Sequence, residues 1–298
     1  MIYPIVLAGS LHQTSLTQSP AAGSSHAALP SHLQPRGDGE SPFQDLLRAL
    51  HRNLTAPPTL VADHRDRAVS CRQLQDIGGV GQFVLEPTQG GSAGAICAAM
   101  TALQEWSSVT ADDFVLVVQL CRGGAPAQDM TPLIQEGQQA ASTGALVAAG
   151  TRRLGPMGHY GWLQLAPTSE AQGELHAVSR RFDAAPPLGS APANFNGVCG
   201  SGCYLARWDV LQSALHAMGD AAVSLARKAV RSGLHHRGKV LLDQSAYRQL
   251  PDTRFERAVL PKLIDSGRLF ALPLDRVGQA VDTHRTAWAT DRVHEPSH

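Results

Sequence analysis

The chain opens with a short apolar run that ends in glycine, and this run constrains the fold more than any other feature. Residues 3–9 read Tyr-Pro-Ile-Val-Leu-Ala-Gly, which is typical of a buried strand at the start of an α/β sheet. Such a strand commonly leads into a glycine-rich, basic loop that holds phosphate groups. Here residues 10–20 contain no glycine, and the first Lys or Arg of the chain is Arg36. The run predicts a nucleotide-binding scaffold, but the loop lacks the expected chemistry.

Strand-like apolar runs alternate with helix-like stretches through the first half of the chain. The predicted strands cover residues 5–8, 59–62, 83–85, 114–118 and 145–149. The predicted helices cover residues 43–54, 66–77, 93–106 and 132–142. Ser41 followed by Pro42 favours a helix start, because serine caps a helix and proline fits its first turn. The alternation predicts an α/β fold with a doubly wound, mostly parallel sheet.

Composition and charge exclude several classes of protein. The chain has 298 residues, of which 43% are apolar and 17% charged, and this suits a globular protein. Its formal net charge of zero gives no field that would attract nucleic acid. No apolar run approaches the ~20 residues that a membrane span needs. The five scattered cysteines favour reduced thiols and a cytoplasmic location.

The domain boundaries follow from two segments that lack periodic apolar residues. Residues 15–39 are rich in Ser, Ala, Pro, His and Gly, so we predict a flexible loop there. Residues 283–298 are polar, and we predict a C-terminal tail. The chain is therefore expected to form one domain over residues 1–282, followed by the tail.

Two smaller patterns leave alternatives open. Cys199 and Cys203 flank Gly-Ser-Gly, which allows a metal or redox pair. The spacing is not Cys-x-x-Cys and the segment reads as a core strand, so buried apolar cysteines are favoured. Basic residues cluster between positions 227 and 239. They fit a solvated helix end, or a surface that contacts an acidic partner or phosphate.

Short fragments in a fixed order cover most of the chain. They occupy residues 3–9, 40–44, 46–47, 85–87, 93, 95–96, 114–118, 160–162, 201–202, 204–205, 258–260 and 277–278. Together they resemble the nucleotidyltransferase domain of bacterial mannose-1-phosphate guanylyltransferases, within the sugar-nucleotide pyrophosphorylase superfamily. The resemblance implies a Rossmann-like, nucleotide-diphospho-sugar transferase-like fold with a small antiparallel sheet on the sugar side.

The resemblance also implies where catalytic groups should stand. In that family a sugar-1-phosphate attacks the α-phosphorus of GTP, while Mg²⁺ and basic residues stabilise the charge. Thr14 stands where the family has its loop arginine, and Ser31 replaces a lysine. Cys121 and Arg276 stand at the two metal-binding aspartates. Because Mg²⁺ needs oxygen ligands, we expect no metal, no cofactor and no working catalytic residue at these degenerate positions.

Several positions keep residues that suit a ligand. Ala8 and Gly9 end the first strand, and Glu86 begins a kept Glu-Pro pair. Arg122 follows the central strand, where it would bind an anion or form a structural ion pair. On the sugar side, the resemblance implies ligand contacts by residues at four positions. These are Tyr160, Gly161, Asp183 and Glu256.

These observations support competing functions. The first is a pseudoenzyme that acts as a regulatory or scaffold protein of polysaccharide or sugar-nucleotide metabolism. Its candidate partners are an active paralogue, a polysaccharide-synthesis protein or a second copy of the chain. A nucleotide sugar is its candidate ligand. The second is a weakly active nucleotidyltransferase that makes a nucleotide sugar such as GDP-mannose with Mg²⁺, through residues including Asp275 and Arg122. The third is an interaction module whose pocket is filled by Leu11, His12 or Leu16.

Overall fold

The computed structural model describes most of the chain, in eight stretches. These are residues 1–9, 29–37, 39–53, 55–120, 130–152, 160–167, 175–183 and 196–274. Thr14, Cys121, Arg122 and Arg276 lie outside the described residues, as do the predicted tail and most of the predicted loop at 15–39.

The strands and helices of the described residues follow one another in mixed order. The strands are β1 (Ile2–Leu7), β2 (Thr59–Asp63), β3 (Gln82–Glu86), β4 (Phe114–Gln119), β5 (Leu146–Thr151), β6 (Trp162–Leu165), β7 (His176–Phe182), β8 (Gly197–Arg207), β9 (Leu234–His235), β10 (Lys239–Leu241) and β11 (Leu269–Pro273). The helices are α1 (Pro42–Arg52), α2 (Arg67–Asp76), α3 (Ser92–Trp106), α4 (Thr131–Ser142), α5 (Trp208–Leu215), α6 (Asp220–Arg231), α7 (Gln244–Tyr247), α8 (Phe255–Ala258) and α9 (Leu260–Asp265). Short 3-10 helices cover Ser31–Leu33, His64–Asp66 and His216–Met218. The strands and helices predicted for the first half are confirmed, with ends shifted by a few residues.

One half of the sheet is parallel. Strands β4, β1, β2, β3 and β10 lie side by side in that order, with all their mutual pairings parallel. The register places Leu7 opposite Gln119, and Asp63 opposite Glu86. The carboxyl ends of β1 to β4 therefore meet at one edge of the sheet.

The other half corrects the expectation of a doubly wound, mostly parallel sheet. Strand β8 is 11 residues long and runs antiparallel to β4, β5 and β6. The order β5-β11-β7-β6-β8, with β8 paired back to β5, makes a closed ring of five strands. A register shift between Ala148 and Gly150 marks the bend at which β8 follows β5 around the ring. The result is a mixed sheet, open at one end and closed at the other.

Helices cover both faces of the parallel half. Ile5 and Leu7 point to a core cluster that includes α3, α5 and α6, whereas Val6 and Ala8 point to a second cluster with α1 and α4. This alternation follows from the two-residue repeat of a strand. Cys199 and Cys203 are buried in β8, as the sequence favoured. Among the described helices, none has the length and apolar character to cross a membrane.

The last part of the predicted loop is anchored to the domain. His32 and Leu33 are buried in their 3-10 helix, and the Gln73 side chain donates a 2.7 Å hydrogen bond to the Leu33 carbonyl. Ser41 donates a 2.7 Å hydrogen bond to the same Gln73 side chain and accepts one from the Gln44 amide. These contacts hold the segment against α1 and α2.

Candidate functional site

Four polar or small residues lie at the carboxyl edge of the parallel strands. Gly9 follows β1, Asp63 ends β2, Glu86 ends β3 and Gln119 ends β4. Ligands of open α/β sheets bind at this edge. The edge is therefore the candidate site, and the contacts of these residues decide what it can do.

Glu86 is held in a protein-made pocket. It is only 6% exposed, and the Tyr247 hydroxyl donates a short hydrogen bond to its Oε1 atom. A Cβ atom on Gly9 would lie 2.5 Å from the other carboxyl oxygen, so glycine at this position makes room for Glu86. Burial raises the pKa of Glu86 to about 7, and the Tyr247 hydrogen bond opposes part of that rise. Glu86 is thus set up to carry a proton more readily than an ordinary glutamate.

The end of β1 is covered from a second side. The Ala8 amide donates a 2.7 Å hydrogen bond to the Val61 carbonyl, and the Ala8 backbone also hydrogen-bonds to His32. Burial lowers the pKa of His32 to about 4 in spite of that bond, so His32 is neutral near pH 7. Ser31 begins the same 3-10 helix and is exposed. A neutral histidine and a serine therefore lie near this end of β1, and neither supplies positive charge.

Asp63 is a buried carboxylate with its own partners. It caps the 3-10 helix His64–Asp66, and it accepts hydrogen bonds of 2.9 Å from both the Arg65 amide and the Arg65 Nε atom. Burial disfavours its charge, but the hydrogen bonds from Arg65 outweigh burial and hold the pKa of Asp63 below its usual value. Asp63 therefore stays ionised and bound to Arg65.

A second buried carboxylate lies between β4 and the five-strand ring. Glu256 is 1% exposed, and its Oε1 atom accepts hydrogen bonds from Gln119 Nε2 at 2.6 Å and from the Tyr204 hydroxyl at 2.8 Å. The Tyr160 hydroxyl donates a 3.2 Å hydrogen bond to the Gln119 carbonyl. Burial raises the pKa of Glu256, although these hydrogen bonds and nearby Arg181 oppose the rise. The cluster is a buried network in which tyrosines surround a carboxyl group.

The Tyr160 ring packs closely against the backbone at Gly202, and Gly161 packs closely against the backbone of Phe182. Gly202 has a φ of +77°, and a Cβ atom there would lie 2.6 Å from the Tyr160 ring. Gly161 has a φ of +81°, and its Cβ would lie 2.6 Å from the Phe182 carbonyl oxygen. Both glycines are required by left-handed backbone and by these contacts.

Asp183 lies at the exposed rim of this second cluster. Its carboxylate is 2.7 Å from Arg181 and 3.3 Å from Arg257. Burial slightly disfavours its charge, but the two arginines hold its pKa below the usual value. Asp183 and Glu256 thus occupy neighbouring positions, and only Asp183 is open to solvent.

The structure groups the predicted ligand residues in two sets. Ala8, Gly9 and Glu86 form the first, and Tyr160, Gly161, Asp183 and Glu256 form the second. Sequence reasoning missed the residues that hold these carboxylates. They are Tyr247, Tyr204, Gln119, Arg181 and Arg257. The glycine pair Gly90-Gly91 before α3 was a sequence signal of close packing at this place. In the structure, a Cβ atom on Gly90 would lie 3.0 Å from the Tyr247 ring.

The described part of the edge does not fit a Mg²⁺ ion. Within it, no group of three His, Cys, Asp or Glu side chains could hold a metal. Glu86 and Glu256 have raised pKa values and take tyrosine hydrogen bonds, whereas Mg²⁺ prefers ionised carboxylates with free oxygens. Asp63, which is ionised, is bound by Arg65.

Replacing Glu86 by glutamine is expected to remove a pH dependence from folding. Because its folded-state pKa is raised, Glu86 takes up a proton on folding between pH 4.5 and about 7. Its stabilising contribution is complete below pH 4.5 and is lost as the pH rises through about 7. The free energy of unfolding of Glu86→Gln minus that of the unmodified chain should rise by about 3 kcal/mol from acid to mildly alkaline pH. Urea unfolding at a series of pH values measures this difference.

The control for that experiment is Glu136→Gln, since Glu136 is exposed on α4. The same difference measured for this variant shows how much change the removal of any exposed carboxylate gives. A flat difference for Glu86→Gln would mean that Glu86 titrates normally in the folded protein, and the pH prediction would be wrong.

Solved structures share this fold. The mannose-6-phosphate isomerase of Helicobacter pylori has a TM-score of 0.70 at 16% identity, covering 92% of this chain and 98% of that one. The mannose-1-phosphate geranyltransferase of Thermus thermophilus has a TM-score of 0.63 at 18% identity, covering 93% and 75%. A UDP-glucose pyrophosphorylase complexed with UDP-glucose has a TM-score of 0.55 at 12% identity, covering 92% and 90%. No protein-family model and no curated protein matches the chain.

These similarities are low in sequence identity and high in coverage. They show that the chain shares the α/β fold of these three structures, and the order of its fragments had predicted an α/β fold. Identities of 18% or less speak to the fold alone. Function therefore has to be argued from the carboxyl edge itself.

Proposed function

We propose that this chain uses a nucleotidyltransferase-like fold for binding and assembly, and that it does not transfer nucleotides. In this proposal it is a regulatory or scaffold protein of polysaccharide or sugar-nucleotide metabolism. One observation carries the proposal. Tyrosine hydroxyls donate hydrogen bonds to two of the buried carboxyl groups near the sheet edge, Tyr247 to Glu86 and Tyr204 to Glu256.

The chemistry of phosphoryl transfer explains why this observation matters. That reaction depends on fixed charges that hold phosphates and metal ions, because it has little covalent work for the protein. Here the carboxyl groups of Glu86 and Glu256 favour protonation, and the end of β1 is covered by the neutral His32. Ser31 in place of the family lysine points the same way. The replacements at Thr14, Cys121 and Arg276 add to this argument from the sequence.

The rim of the second cluster suits the sugar part of a ligand better than a metal-bound triphosphate. Asp183, Arg181 and Arg257 alternate in charge there, and such groups hydrogen-bond sugar hydroxyls. A nucleotide sugar is therefore the small-molecule ligand that we propose to test. Protein partners in the proposal are an active paralogue, a polysaccharide-synthesis protein or a second copy of the chain.

The test uses the full chain in three assays. Isothermal titration with GTP and with GDP-mannose, each with and without Mg²⁺, should give heats that do not depend on Mg²⁺. Incubation with GTP, mannose-1-phosphate and Mg²⁺ should release no pyrophosphate. Addition of the chain to an active mannose-1-phosphate guanylyltransferase should change that enzyme's turnover.

A catalytic alternative predicts the opposite results. Mg²⁺-dependent formation of GDP-mannose that is lost in Asp183→Asn would overturn the proposal and favour a weakly active enzyme. Glu136→Gln serves as the matched control, because it removes an exposed carboxylate on α4, outside both clusters. The two functions are thus separated by one turnover measurement on three chains.

A further inference from the structure

A cysteine and a lysine from different elements meet on the face that carries α2. The Nζ atom of Lys239, on β10, lies 3.2 Å from the Sγ atom of Cys71, on α2. Both side chains are partly buried. From this contact we infer an oxidation site: a peroxide converts Cys71 to a form that Lys239 captures in a covalent sulfur–nitrogen link.

The lysine is held in place by rigid surroundings. Arg237 and Gly238, with φ values of 44° and 72°, make the tight turn between β9 and β10. The His236 and Lys239 backbones close this turn with hydrogen bonds of 2.8 and 3.0 Å. The ammonium group also lies 5.5 Å from the centre of the Phe83 ring, on the neighbouring strand. These contacts keep the nitrogen close to the sulfur, and such proximity favours reaction between the two groups.

Cys71 is also the described thiol that solvent reaches best. Cys97, Cys199 and Cys203 are buried, whereas Cys71 is partly exposed. Lys239 forms no ion pair with any carboxylate in the part of the chain that the structure describes. Its amine is therefore committed to the sulfur contact and to the Phe83 ring.

The chemistry balances with one equivalent of hydrogen peroxide. The Cys71 sulfur attacks a peroxide oxygen, the O–O bond breaks, and water leaves with the sulfur oxidised to a sulfenic acid. Lys239 loses a proton to solvent, and its amine then attacks the sulfur. The S–O bond breaks and a second water leaves. The product joins α2 to β10 and is about 2 Da lighter than the reduced chain.

The link would join helix α2 to the outer part of the sheet. Strand β10 leads directly into α7, which carries Tyr247 on Glu86. The Leu242 amide already ties this segment to β3 through a 3.0 Å hydrogen bond to the Leu85 carbonyl. Oxidation would thus fasten the strand that precedes one of the two carboxyl clusters, independently of whether the proposed function holds.

Peptide mapping of the full chain tests the inference. The reduced protein is treated with hydrogen peroxide, digested with trypsin and examined by mass spectrometry. Trypsin does not cut after a modified lysine, so the expected product joins residues 68–72 to residues 238–248. It should disappear after reduction with a thiol. It should also fall at least about tenfold when the chain is unfolded before oxidation, because proximity is then lost.

Two variants make the experiment decisive. Lys239→Arg keeps the positive charge without the amine, and Cys71→Ser removes the sulfur; neither should give the linked peptide. Cys97→Ser should still give it. Recovery of Cys71 as sulfinic or sulfonic acid, with Lys239 unmodified in the native chain, would overturn the inference. A second product is a linked peptide that retains one oxygen atom. Its formation consumes two molecules of hydrogen peroxide and releases three of water. Detection of this product would also confirm that Cys71 and Lys239 react with each other.

Discussion

Replacing Gly91 by alanine is expected to destabilise the chain by on the order of 4 kcal/mol. Gly91 caps α3, and a Cβ atom there would overlap both the backbone nitrogen and the backbone oxygen of Thr253. Backbone atoms cannot rotate away as a side chain can. The Ala93 amide and the Ser92 hydroxyl also bind the Thr253 carbonyl and the Phe255 amide. A shift of this segment would therefore disturb Glu256, the next residue.

The measurement is urea unfolding followed by circular dichroism. Gly37→Ala is the matched control, because a Cβ at that glycine meets no atom within 4 Å. It should change the free energy of unfolding by less than about 0.5 kcal/mol. If the free energies of unfolding of Gly91→Ala and Gly37→Ala differ by less than about 1 kcal/mol, the close approach of α3 to Thr253 is contradicted.

The parallel half of the sheet was predictable because its strands are buried on both faces. Apolar runs such as Phe114–Gln119 need no partner information to be recognised as strands. The five-strand ring was not predictable in the same way. Its strands β6 and β7 contain exposed or half-buried polar residues, and β8 contains several glycines, so no clean two-residue alternation marks them. The ring depends on long-range pairing of β8 with both β5 and β6, and local patterns do not encode such pairing.

The candidate site also contains residues that the sequence indicates and residues that only the structure brings to light. The sequence analysis named Glu86, Tyr160 and Glu256 as ligand candidates because each belongs to, or lies beside, a local fragment of recognisable sequence. Their partners were missed because they lie far away along the chain: Tyr247 is 161 positions from Glu86, and Gln119 is 137 positions from Glu256. Sequence reasoning therefore found carboxyl groups but not the tyrosines that occupy them. The hydrogen bonds from these tyrosines are the observation on which the proposed function rests.

Replacing Glu256 by alanine is expected to cost about 4 kcal/mol of stability. The change leaves a cavity and deprives the Tyr204 hydroxyl and the Gln119 amide of their acceptor in a fully buried place. Glu256→Gln should cost far less, about 1 kcal/mol, because the amide oxygen still accepts both hydrogen bonds. Adding Tyr204→Phe to Glu256→Ala should cost less than the two single changes summed, since the hydroxyl no longer needs a partner. Urea unfolding gives the free energy of unfolding of each variant: Glu256→Ala, Glu256→Gln, Tyr204→Phe and the double variant.

The sign of the Glu256→Ala result also separates the two candidate functions. A carboxylate kept for catalysis is commonly held at a cost in stability, so its removal leaves the protein as stable or more stable. A carboxyl group kept as a structural acceptor has the opposite effect, because its loss exposes buried donors to an apolar cavity. Marked destabilisation by alanine, relieved by glutamine, would therefore agree with Glu256 serving the fold. Unchanged or increased stability would contradict this role and would favour an active enzyme that retains Glu256 for its ligand.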